Sequence, residues 1–353
     1  MTQSEIAQIG WDIGGAHVKV AALDAGGRLV AAFQLPCELW RGLDRLDRAL
    51  DEALAALPAA PGAAHAATMT GELADVFSDR QEGVRCIVAA LKRCAPARLL
   101  VYAGEHGFLD PERAGVESDQ VASANWLATA RLVARGLREA LLVDVGSTTT
   151  DLVAIHGGRV AAAGRNDFER LVAGELVYSG IVRTPLMAVT DTIEFEGSRV
   201  ALMAEHFATT ADVYRLTGEL NERHDQHPSA DGAEKTPQAS ARRIARMIGL
   251  DARERPLTHW RALATSFRTV QVERIRRAAQ RVLSSAEVGA RGVLVAAGSG
   301  AFLVADLSRV LGREQIAFAD LLGCPTVDAS DAGDPDVCAP AIAVAMLAWH
   351  SDA

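Results

Sequence analysis

Two short polar segments combine carboxylates, glycines and hydroxyls in a pattern that suits the binding of a phosphate group together with a metal ion. The first is Asp144–Asp151, with the sequence Asp-Val-Gly-Ser-Thr-Thr-Thr-Asp, between the apolar runs 140–143 and 152–155. Backbone N–H groups and hydroxyls of such a turn converge on one point, where an anion binds. The flanking carboxylates would repel a phosphate unless a divalent cation bridged them, so the segment predicts a phosphate site that includes a metal ion.

A second segment near the start of the chain repeats this design. Residues 9–21 have the sequence Ile-Gly-Trp-Asp-Ile-Gly-Gly-Ala-His-Val-Lys-Val-Ala, again a strand, an aspartate, a glycine turn and a strand. An ordinary hairpin with a glycine turn explains one such segment. Two copies about half a chain apart instead predict two similar half-domains that face each other across a cleft, each with one phosphate loop.

The predicted strands extend the repeat beyond the two turns, because each half has three consecutive strands separated by two glycine turns. The first half has Ile6–Asp12, His17–Leu23 and Leu29–Leu35, and the second half ends its set with Arg159–Ala163. Later, the predicted strand 292–297 runs into Gly298-Ser299-Gly300 and a helix. This arrangement lets the backbone approach a nucleotide or another flat ligand.

Two other segments place polar side chains at the starts of predicted helices. A strand ends at Thr70-Gly71-Glu72, where the hydroxyl and the carboxylate suit either an N-cap or a substrate-facing pair. Asn125 and Trp126 begin another helix, where packing of a buried tryptophan is favoured over chemistry. Helices are also predicted at 42–57, 80–94, 198–207, 211–218, 240–250, 257–287 and 337–350.

The polar segment 221–237 falls within a predicted insertion and is rich in histidine and aspartate. The histidines and aspartates concerned are His224, Asp225, His227 and Asp231 within the segment, and His206 and Asp212 before it. The composition favours a solvated loop. The other interpretation is a metal-binding or substrate-binding loop, because long irregular segments inside compact domains often carry function.

Composition and charge limit the class of protein. A chain of 353 residues with 49% hydrophobic residues favours two or three domains with sizeable cores. The net charge of −9 argues against a nucleic-acid-binding protein. The five scattered cysteines, without a Cys-x-x-Cys pair, predict neither a disulfide framework nor a zinc ribbon. Without a signal-type start or an apolar run of about 20 residues, the protein is expected to be soluble and cytoplasmic.

The order of these segments resembles the actin/sugar-kinase/heat-shock-chaperone superfamily. Asp12–Gly15, Thr70–Glu72, Asp144–Asp151 and Ala297–Gly300 stand where that superfamily has its phosphate 1, connect 1, phosphate 2 and adenosine segments, and the last helix stands for connect 2. The resemblance implies an α/β fold of two duplicated actin-like (ribonuclease H-like) domains that face across a cleft. It places the first domain at 1–137, the second at 138–337 with a helical insertion at 164–290, and a C-terminal helix at 338–353 that returns to the hinge or the first domain.

Finer details are similar to the hydantoinase/oxoprolinase branch, and within it to a group linked to tetrahydromethanopterin-dependent one-carbon transfer. The segments concerned are Asp12–Lys19, Thr68–Asp75, Ala124–Trp126, Thr210–Tyr214 and Ser229–Gly232. That group includes synthases of methanofuran biosynthesis. Bacterial relatives of these synthases belong to the biosynthesis of a related cofactor, methylofuran. The resemblance implies a transferase that joins an aminomethyl-furanmethyl diphosphate to the phenol of a glutamylated tyramine or tyrosine. An aryl ether forms and diphosphate is released.

The implied reaction assigns roles to the residues of the turns. Backbone N–H groups and hydroxyls would stabilise the departing diphosphate, and a lysine would add charge. The phosphate-binding residues would be Gly14, Gly15, Lys19, Gly146, Ser147, Thr148, Thr149, Gly298, Ser299 and Gly300. The Mg²⁺ ligands would be Asp12 and Asp144, the candidate proton acceptors Glu72, Asp151 and His17, and the substrate contacts Thr70, Asn125 and Trp126. Lys19 is equally explained as a lysine on a strand surface, and Asp151 by a structural hydrogen bond.

Two alternative functions use the same residues. With ATP in place of the furan diphosphate, the chain would be an ATP-dependent small-molecule kinase or an oxoprolinase-like amide hydrolase, which the Gly298–Gly300 segment favours. A nucleotide-gated scaffold protein is the third interpretation. In each case the expected partners are small molecules rather than nucleic acid or membrane, and the formation of a homo-oligomer stays open.

Overall fold

A computed structural model describes residues 5–58, 60–95, 98–322 and 333–351 of the chain. The chain divides into two compact units. The first comprises Met1–Glu139, Ile155–Ala161 and Ala317–Ala353, and the second comprises Ala140–Ala154 and Ala162–Ile316. The domain limits inferred from the sequence differ from these bounds at 138–139, 155–161 and 317–337, and they stay a prediction.

The elements alternate between strands and helices along most of the chain. The strands are β1 (Ile6–Ile13), β2 (His17–Asp24), β3 (Leu29–Pro36), β4 (Ala64–Met69), β5 (Arg98–Tyr102), β6 (Phe108–Leu109), β7 (Ala140–Val145), β8 (Thr150–His156), β9 (Arg159–Val160), β10 (Leu176–Val177), β11 (Thr192–Phe195), β12 (Ser198–Ala201), β13 (Val293–Ala297) and β14 (Gln315–Ala317). The helices are α1 (Leu43–Ala56), α2 (Arg80–Cys94), α3 (Pro111–Val116), α4 (Ser118–Val121), α5 (Asn125–Gly136), α6 (Asp167–Ala173), α7 (Leu186–Val189), α8 (Thr210–Thr217), α9 (Pro237–Met247), α10 (Leu257–Ser285), α11 (Val304–Leu311), α12 (Phe318–Leu321) and α13 (Ala339–Trp349).

The sheet of the first unit has the strand order β3-β2-β1-β4-β5-β6. β1, β2 and β3 form an antiparallel meander, while β4 runs parallel to β1, and β5 runs parallel to β4. The parallel strands β1 and β4 end at the same edge, where the Thr70 N–H donates to the Ile13 carbonyl at 2.9 Å. The carboxyl ends of parallel strands are where ligands of α/β sheets usually bind.

Helix α13, which is rich in alanine, lies directly on β1. A Cβ atom added at Gly10 would come within 2.0 Å of the Ala341 carbonyl oxygen and 2.8 Å of the Ala345 Cβ. Only a glycine in the strand and small residues in the helix therefore allow this approach. All the residues of α13 from Ala339 to Ala348 are buried.

A buried histidine connects β4 to β1 within the same core. The Nε1–H of Trp11 donates to His65 Nδ1 at 3.0 Å, and the two rings stack with an interplanar angle of 10°. Burial lowers the pKa of His65 from 6.5 to about 4, so the imidazole is neutral in the folded protein at neutral pH. Its Nδ1 accepts a hydrogen bond only in that neutral form.

This histidine predicts a loss of stability on mild acidification. Unfolded His65 binds a proton below pH 6.5 and folded His65 only below about 4, so the free energy of unfolding falls as the pH drops through this window. The shift corresponds to a loss of about 3 kcal/mol. Urea unfolding at pH 7 and pH 4.5 measures it, with a His65→Gln variant as the control. Equal pH dependence in the two proteins would contradict the assignment.

The sheet of the second unit has the order β10-β8-β7-β13-β14, with β9 paired to β8. β7 and β8 are joined by a four-residue polar turn, and β13 runs parallel to β7. This is the arrangement of β1, β2 and β4 in the first unit. The predicted fold class, α/β with two duplicated domains and a helical insertion in the second, is confirmed.

The insertion builds its own core from α8, α9 and α10. Trp260, Phe267 and Ile244 are fully buried there together with other apolar side chains. The helix predicted at 198–207 is wrong, because β11 and β12 form an antiparallel hairpin instead. Glu196 and Gly197 form its two-residue turn, both with positive φ (50° and 79°), as in a type I′ turn. The strong helix propensity of the alanine, leucine and methionine that follow was misleading.

None of the helices in the described part of the chain is both long and apolar enough to cross a membrane.

Candidate functional site

The first predicted phosphate turn connects β1 to β2 in the first unit. The Gly14 N–H donates to the His17 carbonyl at 2.9 Å, and a Cβ at Gly14 would lie 3.0 Å from that oxygen. Gly15 faces open space, because no atom lies within 4 Å of an added Cβ there. The His17 side chain, a predicted proton acceptor, is only 5% exposed. The turn is therefore tight at Gly14 and open at Gly15, where a ligand can approach the backbone.

Asp12 lies beside this turn in a small polar cluster. Its carboxylate is buried, with Lys19 Nζ 3.6 Å from Oδ2 and the Asn125 amide donating to Oδ1 at 3.4 Å. Asn125 Oδ1 accepts from the Trp126 N–H at 2.7 Å, which fixes the side chain at the start of α5. Lys19 is thus more than a lysine on a strand surface, because its charge partly neutralises a buried aspartate.

The Thr70–Glu72 segment follows β4 at the same edge of the sheet. Glu72 is 1% exposed and accepts a hydrogen bond from the Ser123 hydroxyl at 2.8 Å. Ser123 has φ of 52°, a left-handed conformation that is costly for a serine and that often marks functional sites. A Cβ at Gly83 would be 2.4 Å from the Glu72 carbonyl, so α2 packs tightly on this segment. The structure holds the Glu72 carboxylate in one place, away from solvent.

The second predicted phosphate turn, between β7 and β8, offers donors to a ligand. The Gly146 N–H donates to the Thr149 carbonyl at 2.8 Å, which closes the turn. Ser147, Thr148 and Thr149 are half-buried, and within the described residues their N–H groups donate no hydrogen bond. The hydroxyl of Thr150 instead donates to the Ser179 carbonyl at 2.7 Å. Three N–H groups and neighbouring hydroxyls at one turn are the kind of donors that can bind an anion.

A neighbouring segment, Ser179–Arg183, supports this turn from behind. The N–H groups of Ile181 and Val182 donate to the carbonyls of Gly146 and Ser147, at 3.1 and 3.0 Å. A Cβ at Gly180 would lie 2.4 Å from both the Thr148 nitrogen and the Ser147 carbonyl carbon. The carbonyls of Gly146 and Ser147 are therefore occupied by the protein, and this segment holds the turn in place.

The Gly298-Ser299-Gly300 loop is the third element predicted from the sequence, and in the structure it packs against Asp144. Gly298 has φ of 83°, and a Cβ there would come within 2.3 Å of Asp144 Oδ1. The Gly300 N–H donates to the Val145 carbonyl at 2.7 Å. The half-buried Asp144 carboxylate and the glycine loop are thus neighbours beside the turn in the second unit.

Gln271 is a supporting residue that the sequence analysis missed. It is 1% exposed in the middle of α10, and its amide donates to the Ser179 hydroxyl at 2.9 Å and to the Gly180 carbonyl at 2.8 Å. The buried hydroxyl of Tyr214 on α8 donates to Gln271 Oε1 at 2.7 Å. A polar residue on the buried stripe Phe267, Gln271, Ile275 was the available signal.

Replacing Gln271 with leucine is expected to destabilise the protein by about 1–3 kcal/mol, because buried groups of Tyr214, Ser179 and Gly180 lose their partner. We also expect weaker binding of inorganic diphosphate with Mg²⁺, since Gly180 supports the turn. Chemical unfolding and calorimetric titration measure the two effects. Gln280→Leu on the same helix is the control, and an equal result for both variants would contradict the role.

Asp151 is occupied by an ion pair. The fully buried guanidinium of Arg170 donates to Asp151 Oδ1 at 2.8 Å and to the Glu175 carbonyl at 3.2 Å. An arginine 1% exposed needs this carboxylate for compensation. The contact supports the structural explanation of Asp151 over that of proton acceptor.

The polar segment 221–237 is held by arginines and a lysine. Arg243, which is 0% exposed, contacts Asp212 at 2.8 Å and Asp231 at 3.0 Å. Arg215 is paired with Asp225, which also lies 3.2 Å from Lys235. Among the described residues, no group of three or more histidine, cysteine, aspartate or glutamate side chains could hold a metal ion. The segment is thus an ordered loop whose carboxylates balance buried cations.

Cysteine chemistry has little support in the described residues. Burial raises the pKa of Cys37 and Cys338 to about 12 and that of Cys94 to about 11. These thiols stay protonated near neutral pH and are poor nucleophiles. Cys324 lies outside the described residues.

Comparison with known proteins identifies relatives along most of the chain. A family model described as hydantoinase/oxoprolinase matches residues 63–327. A (γ-glutamylaminoethyl-phenoxymethyl)furan-2-yl-methanamine synthase of Methanocaldococcus jannaschii is 32% identical over 248 residues, covering 70% of this chain and 73% of that protein. A protein of the same name from Methanococcus vannielii is 34% identical over 114 residues, covering 32% of this chain and 51% of that protein.

Among solved structures, nucleotide-free acetone carboxylase has the same fold. It superposes with a TM-score of 0.58 over 91% of this chain and 70% of that chain, at 11% sequence identity. At this identity the likeness concerns the fold alone.

Proposed function

Since the chain belongs to the hydantoinase/oxoprolinase family, we propose that it is a transferase that forms an aryl ether in methanofuran or methylofuran biosynthesis. It would join an aminomethyl-furanmethyl diphosphate to the phenol of a glutamylated tyramine or tyrosine. The phenol oxygen forms a bond to the furan-bearing CH₂ carbon, and the bond from that carbon to the diphosphate oxygen breaks. Diphosphate leaves with the electron pair, and the phenol proton passes to a base.

One observation carries the proposal. The synthase of Methanocaldococcus jannaschii is named for a product in which a phenoxymethyl group joins a furan to a γ-glutamylaminoethyl chain, and it is 32% identical over 70% of this chain. The bond named there is an ether between a phenol oxygen and a furan-bearing methylene. A diphosphate leaving group fits a chain with two phosphate-type turns.

The residues of the second unit suit the departing diphosphate. Within the described ranges the N–H groups of Ser147, Thr148 and Thr149 donate no hydrogen bond, and the segment 179–183 holds the turn in place before any ligand arrives. Donors fixed in advance stabilise developing charge at low cost, because they need not reorganise during the reaction. The furan oxygen helps from the substrate side, because it stabilises positive charge on the CH₂ carbon as the leaving group departs.

Residues of the first unit suit proton and charge control. Glu72 is the first candidate for the proton acceptor, since Ser123 fixes its carboxylate, and the buried His17 is the second. Lys19 and Asn125 hold Asp12 in place.

Mg²⁺ fits the carboxylates of the two turns, because it binds through one or two carboxylates plus phosphate oxygens and does not need a cage of three protein ligands. Each unit offers one candidate carboxylate ligand, Asp12 in the first and Asp144 in the second, and bound Mg²⁺ would neutralise diphosphate charge.

The direct test is incubation of the protein and Mg²⁺ with the furanmethyl diphosphate and a glutamylated phenol. Mass spectrometry detects the ether, and a phosphate assay after pyrophosphatase treatment detects the diphosphate. Equal amounts of ether and diphosphate, with either the tyramine or the tyrosine acceptor, are expected. No ether with either acceptor would rule out the proposal.

The glycine loop favours one other function, ATP-dependent chemistry on a small molecule. Gly298 leaves no room for a Cβ atom beside Asp144, and a strand followed by Gly-Ser-Gly lets a nucleotide approach the backbone. ATP and Mg²⁺ in place of the furan diphosphate would then yield ADP at a steady rate. Under the leading proposal no ADP forms, so an ADP assay separates the two.

A further inference from the structure

A cavity in the first unit lies apart from the residues discussed so far. Its volume is about 570 Å³, within the range of small-molecule sites. Arg131 and Arg135 on α5 line it, while Asn125 begins that helix at the opposite end. Ten residues of helix separate Asn125 from Arg135, which corresponds to about 15 Å along its axis. The cavity therefore needs an explanation separate from the polar cluster at Asp12.

The lining of this cavity is cationic in a protein that is acidic overall. Three arginines, Arg131, Arg135 and Arg159, line it with a single glutamate, Glu105, while the whole chain carries a net charge of −9. Arg131 is already neutralised, because its guanidinium lies 2.8 Å from the Glu105 carboxylate. Within the described residues Arg135 and Arg159 have no ion pair or hydrogen bond from their side chains. Two uncompensated guanidinium groups thus face one space.

An aromatic wall with a buried hydroxyl completes the cavity. Tyr102 and Phe108 both line it and meet edge to face, with ring centroids 5.4 Å apart. The Arg131 guanidinium lies 5.8 Å from the centre of the Tyr102 ring. Tyr102 is 1% exposed, and within the described residues no hydrogen bond of normal geometry reaches its hydroxyl. Burial raises the pKa of this hydroxyl to about 12, and the neighbouring Arg131 guanidinium opposes the rise, so the hydroxyl keeps its proton and stays a donor. A buried hydroxyl usually has a partner, and a bound ligand would supply one.

We propose that this cavity is a second small-molecule site, for a planar aromatic or heteroaromatic ring that carries a phosphate group. Arg135 and Arg159 would bind the phosphate, because guanidinium groups match phosphate oxygens in charge and geometry. The ring would pack against Tyr102 and Phe108, and the Tyr102 hydroxyl would donate to the ligand. Exposed arginines alone would be ordinary solvated side chains; the buried hydroxyl and the aromatic wall beside them favour a ligand of this class.

Calorimetric titration with phenyl phosphate tests this site, in the presence of Mg²⁺ and saturating inorganic diphosphate to occupy the phosphate turns. Phenyl phosphate is expected to bind with a stoichiometry of one. Inorganic phosphate and phenol are each expected to bind at least about 10-fold more weakly, because each lacks half of the contacts. Failure of phenyl phosphate to saturate in the millimolar range would overturn the proposal.

Variants then locate the binding. The double variant R135Q/R159Q is expected to weaken phenyl phosphate at least about 10-fold, and Y102F about 5-fold. R138Q is the matched control, because Arg138 lies just beyond α5 and does not line the cavity. Unchanged affinity in the double variant would show that phenyl phosphate binds elsewhere and would overturn the proposal. Thermal unfolding of each variant checks the fold, and the outcome does not depend on the proposed transferase reaction.

Discussion

An Asp144→Asn protein is expected to fold normally and to lose ether formation by about 100-fold or more, the size of effect seen when one charge-stabilising group is removed from an active site. Asparagine keeps the shape of the side chain and its contact with Gly298, where the backbone approaches Asp144 Oδ1. It removes only the negative charge. If this carboxylate holds Mg²⁺ against the diphosphate, the Mg²⁺ concentration for half-maximal rate should rise as well.

The measurement is the rate of diphosphate release as a function of Mg²⁺ concentration, with thermal unfolding as the check on folding. Asp191→Asn is the control, since Asp191 is an exposed aspartate of the same unit. It should react at the rate of the natural protein. An Asp144→Asn protein with nearly full activity and an unchanged Mg²⁺ requirement would show that the metal is not bound by this residue.

A Gly180→Ala protein is the second variant for which a large effect is expected. The added Cβ would lie 2.4 Å from the Thr148 nitrogen and the Ser147 carbonyl carbon, closer than non-bonded atoms can approach. The neighbour is backbone, so the turn itself must move. A displacement of about 1 Å in a group that positions a substrate can lower the rate about 100-fold, and we expect a loss of this size in kcat/KM.

Binding of inorganic diphosphate with Mg²⁺ separates this effect from a general loss of stability. The Gly180→Ala protein should bind diphosphate more weakly at a temperature where it is fully folded. Gly136→Ala is the control, because no atom lies within 4 Å of an added Cβ at that position. Diphosphate binding equal to that of the natural protein would mean that the turn does not hold the leaving group.

The two turns could be predicted, because a tight turn depends on the types of a few consecutive residues. Gly14 in the first turn and Gly146 in the second each favour a tight turn, and the hydroxyls at 147–149 add hydrogen-bond donors to the second one. The alternation of apolar runs and glycines gave the strands on either side. The repeat of this design in two halves, together with the third glycine segment at 298–300, then indicated the fold class.

The partners of these residues were not predictable in the same way. Gln271 and Ser179 are 92 positions apart, and only the packing of α10 in the second unit brings them to hydrogen-bond distance. The sequence left Asp151 either as a proton acceptor or as a structural hydrogen-bond partner, and the ion pair with the buried Arg170 favours the structural role. The hairpin at 192–201 overrode local helix propensity, because its turn and its partner strand contribute more than the preference of single residues.

The sequence by itself determined the two turns and the glycine loop, since each depends on residue types at neighbouring positions, and the repeat of these segments indicated the duplicated α/β fold. Tertiary structure alone decided which side chains hold those turns in place, such as Gln271 and Ser123, and which carboxylates balance buried cations, such as Asp151. It also formed the cavity at Tyr102. Segments that are distant in sequence come together only when the core packs. A buried polar group is stabilised only if its partner lies within hydrogen-bond distance, so these contacts cannot be inferred from local sequence.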